Sequence, residues 1–75
     1  MIDNEHEQKM AIALENHELA YRRLVTARRS VLTAEVTRDE QPRRWKACTA
    51  ELQAAYEAFQ TSYEGVIHCY RNGDR

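Results

Sequence analysis

The chain has 75 residues, of which 31% are charged and 43% hydrophobic, with a net charge of −1. That length permits one domain and buries a small fraction of its surface, so a lone core is marginal and usually needs a disulfide framework, a metal or a partner. The near-neutral balance excludes a global field that draws the whole chain to nucleic acid or a membrane, and two glycines and one proline leave little material for turns.

The first ten residues, MIDNEHEQKM, are acidic and polar, whereas a secretory leader starts basic and then turns apolar. No stretch approaches the roughly 18 apolar residues that a membrane span needs. The expectation is a cytoplasmic chain with no membrane contact. From residue 5 to residue 37 there is no Gly or Pro, and apolar residues recur at helical spacing, which predicts a first helix over about 5–37. Asp3 is the candidate N-cap, with Glu5 and Glu7 at the positive end of the helix dipole. A turn follows over about 38–42, in the stretch TRDEQP. There Thr37 and Glu40 have capping-box spacing, Asp39 is a rival N-cap, and Pro42 suits a first helical turn. A second helix is expected over about 42–70, stopped by Asn72-Gly73. The fold class is therefore all-α: an antiparallel two-helix hairpin in a single domain, 1–75, with room for a short extra helical turn at the N-terminus.

Heptad spacing defines a seam on each helix. On the first it runs through Met10, Ala13, His17, Ala20, Leu24, Ala27, Val31 and Ala34. On the second, the same three–four alternation picks out Trp45, Thr49, Leu52, Tyr56, Phe59, Tyr63, Val66 and Tyr70. This reading sets a small-residue seam against a large-residue seam, so that bulky groups fill the grooves left by alanines. The first helix carries more apolar surface than one seam uses: Leu14, Tyr21, Val25 and Leu32 lie on its flank, with Val36 near the turn, while Cys48, Ala55 and Ile67 widen the arc of the second. A hairpin has one internal interface, and a contiguous exposed apolar strip marks a binding site. Leu14, Tyr21, Val25, Leu32 and Val36 are the candidate partner-binding residues. The alternative is burial against an extra N-terminal helix.

Charge is segregated. Residues 1–21 hold five acids and one lysine (net −4), residues 22–46 eight bases and three acids (net +5), and residues 47–75 four acids and two arginines (net −2). The turn end is thus basic and the terminal end acidic. Phosphate gripping by Arg22, Arg23, Arg28, Arg29, Arg38, Arg43, Arg44 and Lys46, with Trp45 as a stacking platform, is the nucleic-acid reading. The place of Trp45 in the seam and the negative net charge favour a solvated basic face or an acidic protein partner instead.

Catalytic chemistry is missing. His6, His17 and His68 never pair at metal-ligand spacing on one helix face. Glu64 and His68 supply two ligands where zinc needs three or four. Cys69 beside His68 is no nucleophile arrangement, because sequence neighbours point apart on a helix. Gly65 and Gly73 stand alone, so no phosphate-cradling loop exists. Cys48 and Cys69, 21 residues apart in one helix, sit roughly 31 Å from each other, beyond disulfide reach. No enzyme activity, metal or cofactor is expected.

The helix ELAYRRLVTARRSVLTAEV, the turn DEQP with Trp45 soon after Pro42, and an amphipathic helix ending VIHCYRN together resemble the small YscE/SsaE-type co-chaperones of type III secretion systems, over about Glu18 to Asn72. The resemblance implies a cytoplasmic helical hairpin that binds a TPR-like chaperone and, with it, keeps a needle subunit soluble and monomeric before export. His68 and Cys69 depart from the more apolar stretch of similar proteins. The rival readings are a homodimeric four-helix bundle acting as scaffold or regulator, whose seam would be the same strip, and a nucleic-acid-binding hairpin using the basic turn end.

Overall fold

The computed structural model describes residues 4–73. Two long helices make up the fold: α1, Asn4–Val36, and α2, Pro42–Gly73. They lie antiparallel as a rod measuring 61 × 13 × 12 Å. α1 is unbroken from Asn4, so among the described residues no separate N-terminal element covers the flank. The proposed cap Asp3 lies outside the described residues. Glu5 and Glu7 occupy the first turn of α1, and Arg71 the last turn of α2, each matched in sign to its end of the helix dipole. α2 continues three residues past the expected end, through Gly73.

The turn corrects the expected capping. Gln41, not Thr37 or Asp39, is the N-cap of α2: its carbonyl accepts the bond from the Trp45 amide at 3.2 Å. The reason is Pro42. A proline disfavours helical backbone in the residue before it, and a non-helical residue just ahead of the first turn is what an N-cap requires. Thr37 instead closes the turn through its carbonyl, which accepts from the amides of Glu40 (3.1 Å) and Gln41 (2.7 Å), while its buried hydroxyl has no partner. Side chains then lock the turn. Trp45 Nε1 donates to Glu35 Oε2 at 2.7 Å, and the Arg38 guanidinium stacks on the indole at 4.2 Å. One face of the Trp45 ring is thereby occupied by Arg38.

The seam of α1 is the expected one. Leu24, Ala27 and Ala34 are buried, and Met10, Ala13, His17, Ala20 and Val31 half-buried. The seam of α2 is shifted at every second position. Trp45, Leu52, Phe59 and Val66 hold their expected places, but Ala55, Ser62 and Cys69 stand where Tyr56, Tyr63 and Tyr70 are expected, while near the turn Cys48 and Thr49 are both half-buried. Ala55 is fully buried, whereas Tyr56 and Tyr63 are each 53% exposed. Neither seam is uniformly small or large; both alternate. The hydrogen bond between His17 Nδ1 and Ser62 Oγ, 2.8 Å, marks the register. Stepping outward from it sets Ala20 against Phe59, Leu24 against Ala55, Ala27 against Leu52, Val31 against Cys48 and Ala34 against Trp45. Toward the termini it sets Ala13 against Val66 and Met10 against Cys69. Leu24, Ala27 and Ala55 form the buried cluster at the centre, with Leu52 and Phe59 packed on it. Each layer joins one large to one small side chain, so a tyrosine at position 56 or 63 of the seam would meet Leu24 or His17 head on.

Ala55→Leu should therefore lower stability by about 1–3 kcal/mol, through overpacking against Leu24. Tyr56→Ala should cost less than about 1 kcal/mol. Thermal or urea unfolding of both variants checks the order; a larger loss at Tyr56 would restore the tyrosine seam.

Candidate functional site

The candidate site is the flank of the rod that the seam leaves uncovered. Helical periodicity puts Leu14, Tyr21, Val25, Leu32 and Val36 on one side of α1. Val36 is 86% and Leu32 71% exposed; Leu14 and Tyr21 are about half exposed, and Val25 is half-buried beside the seam. All five lie on the side where the sequence pattern places them, and among the described residues no further element covers that side.

The α2 side of the same flank was missed by the pattern. Displaced from the seam, Tyr56, Tyr63 and Tyr70 form a heptad row that is exposed in one copy of the chain. Ring contacts tie this row to α1. The His17 ring lies 4.7 Å from that of Phe59 and 5.7 Å from that of Tyr63, and the Tyr21 ring lies 6.1 Å from that of Phe59. Near the turn end, a shallow groove of about 470 Å³ runs between Leu24, Arg28, Thr49, Leu52, Gln53 and Tyr56. Leucines, valines and tyrosines from both helices thus line a single face, and the tyrosine hydroxyls give it polar handles. The signal that could have found the tyrosines was size. α1 places Met10, His17, Leu24 and Val31 at alternate seam positions, and each demands a small residue opposite.

The opposite flank differs. A groove of about 750 Å³ there is lined by Lys9, Ile12, Ala13, Asn16, Ala20, Ala58, Thr61, Ser62, Gly65, His68 and Cys69. Gly65 has open space where a side chain would project.

Between the flanks, His17 is held by chemistry rather than by burial alone. Ser62 Oγ donates its one proton to the Phe59 carbonyl at 2.8 Å, so it can only accept from His17, and the imidazole carries its proton on Nδ1. The ring is a structural donor in the seam. His68 Nε2 meets the Asn72 amide nitrogen at 2.9 Å, and accepts from it. Among the described residues, no group of three His, Cys, Asp or Glu side chains could hold a metal ion. Cys48 and Cys69 are free thiols, both within α2.

Ion pairs cover part of the charge. Arg22 bonds Glu18 at 2.7 Å, Arg38 reaches Glu35 at 3.6 Å, and Lys9 reaches Glu5 at 3.6 Å, all within α1 or at its end. Among the described residues, the one pair that joins the helices is Arg23 Nε to Glu51 Oε1, 2.6 Å, on the flank away from the tyrosines. The hydrogen bond from Arg23 holds the Glu51 carboxyl below its usual value of 4.5; slight desolvation opposes this and the guanidinium charge adds to it. Among the described residues, no ion pair engages Arg28, Arg29, Arg43, Arg44 or Lys46 at the basic end. No helix of the described residues is long and apolar enough to cross a membrane.

No family model, curated protein or solved structure matches the chain. Its fold and candidate site define a helical hairpin with an uncovered face of apolar and aromatic side chains.

The depressed Glu51 carboxyl fixes a pH dependence. Its contribution to stability is complete above its usual value of 4.5 and is lost as pH falls through the lowered folded-state value. Glu51→Gln should remove that contribution, a small one because the pair is exposed, so the two chains differ slightly near neutral pH and converge as the native carboxyl is protonated in acid. Unfolding curves from pH 7 down to about pH 2, for both chains, read the difference.

Proposed function

We propose that the protein is a non-catalytic co-chaperone: it holds a TPR-like chaperone on the Leu14–Tyr21–Val25–Leu32–Val36 face, and the pair keeps a type III secretion needle subunit from assembling before export. The observation that carries the binding role is the uncovered face itself. A short hairpin has one seam to bury, yet this one exposes Leu14, Tyr21, Leu32 and Val36 on α1, with Val25 half-buried among them, and three tyrosines on α2 along the same side. Leaving such a strip in water is costly, and covering it with another polypeptide recovers roughly 25 cal/mol per Å² of apolar area. A row of amphipathic aromatics with leucines between them is the composition that anchors protein interfaces. The choice of partner rests on the resemblance of the two helices and the proline turn to the YscE/SsaE-type proteins. Helix-in-groove docking, with anchors at helical spacing, is the mode that both the face and a TPR-like concave surface suit.

Nothing in this role calls for a catalytic group, and His17, the one histidine near the face, already donates to Ser62. The free cations of the turn end supply a second, rim-type contact for an acidic partner surface, which raises the association rate more than the affinity.

Co-expression with the TPR-like chaperone and needle subunit of the same host tests the proposal. A ternary complex with a monomeric needle subunit is expected. Leu32→Asp and Tyr21→Asp should each weaken it on the order of 100-fold, by placing a charge in an apolar contact, while circular dichroism of the isolated variants stays helical. No complex with that pair, or a complex indifferent to both substitutions, would overturn the reading.

A further inference from the structure

We propose that, in the absence of another partner, a second copy of this chain docks end for end on the Leu14–Tyr21 face, with Glu7 of each copy against Arg28 of the other. The argument begins with one heptad column of α1. Read along the helix it runs Glu7, Leu14, Tyr21, Arg28: an acid, two apolar anchors, a base. Such a column is its own complement when turned about the midpoint between Leu14 and Tyr21. Leu14 then meets Tyr21 of the second copy, and Glu7 meets Arg28. The same rotation brings Val25 over Met10 of the second copy and, on α2, Tyr56 over Ile67. This is an isologous two-fold contact, in which each pairing occurs twice.

Charge selects the direction. Among the described residues, neither Glu7 nor Arg28 takes part in an ion pair, and Arg28 lines the groove beside Tyr56 on this face. A parallel arrangement would set acid on acid at one end and base on base at the other. The antiparallel one satisfies both ends.

The dimensions set the strength. From residue 7 to residue 28 the overlap is about 32 Å long. Over a rod 13 Å wide, that amounts to roughly 800 Å² from the two copies together, below the size of permanent interfaces. The dimer is accordingly weak and exchangeable. It also leaves Leu32 and Val36 beyond the overlap, exposed as a first foothold for a different protein. That foothold role rests on the co-chaperone reading; the dimer does not.

Sedimentation of the purified chain over a concentration series, at low and high salt, tests the inference. A reversible monomer–dimer equilibrium is expected, with its midpoint shifted to higher concentration by salt. Glu7→Arg and Arg28→Glu should each raise the dissociation constant about tenfold, because two equivalent contacts become repulsive. The double variant, Glu7→Arg with Arg28→Glu, should return to within about twofold of the native value, since antiparallel pairing is restored while a parallel one would stay repulsive. Circular dichroism confirms that each variant is folded. A monomer at every concentration, a larger oligomer, single reversals without effect, or a double variant no better than the singles would each overturn the dimer. Those outcomes leave complex formation with the TPR-like chaperone untouched, and Leu32→Asp, outside the overlap, separates the two in the other direction.

Discussion

The matching of one bulky side chain to one small one, layer after layer, is the constraint on which the rest of this hairpin depends. Two helices of about thirty residues joined by a tight turn have no third element to share the work of burial, so their axes must come close enough to exclude water from a single line of contact. Alternation achieves this because each large residue enters a space that the facing alanine, serine or cysteine leaves open. Fully buried Ala55 and nearly buried Ala27 and Ala34 mark where the approach is tightest. Small side chains contribute little area of their own, and a rod of this width buries little in total, so the seam holds the helices together without supplying a large reserve of stability.

That economy has a direct functional cost and use. Once the small residues of α2 have taken the seam, its tyrosines have nowhere to go but the flank, beside the leucines and valines of α1. The exposed face is thus a consequence of how the interior is packed rather than a separate decoration. The turn, clamped by the Arg38–Trp45–Glu35 arrangement, keeps the two halves of the face in a fixed relation, so a partner meets a largely preorganised surface.

Much of the architecture was legible in the residues alone. The absence of Gly and Pro over 5–37, together with heptad spacing, located α1 and each residue of its seam. Pro42 located the start of α2. Two features escaped for physical reasons. In the turn, the side-chain capping spacing of Thr37 and Glu40 competes with the backbone restriction that Pro42 places on Gln41, and the backbone restriction prevails. In α2, positions 49, 56, 63 and 70 and positions 48, 55, 62 and 69 flank the Trp45–Leu52–Phe59–Val66 column equally well. Apolar size favoured the tyrosines, while volume opposite Leu24 and His17 excluded them. Deciding between those columns requires both helices at once, because hydrophobicity is a property of one strip and fit is a property of two. The candidate face on α1 followed from periodicity; its tyrosine half became visible only once the register was known.

The polar layer has a meaning for how the chain finds its alignment. Sliding one helix past the other by seven residues would still oppose large groups to small ones throughout: Leu24 would face Ser62, Val31 would face Ala55, and Ala27 would face Phe59. Shape alone cannot tell these arrangements apart. His17 can, since after such a slip it faces Cys69, a poor acceptor, and leaves its ring nitrogen unsatisfied in a half-dry seam. With the proline turn, this single imidazole–hydroxyl contact acts as the notch by which an otherwise repetitive zipper closes on one tooth and no other.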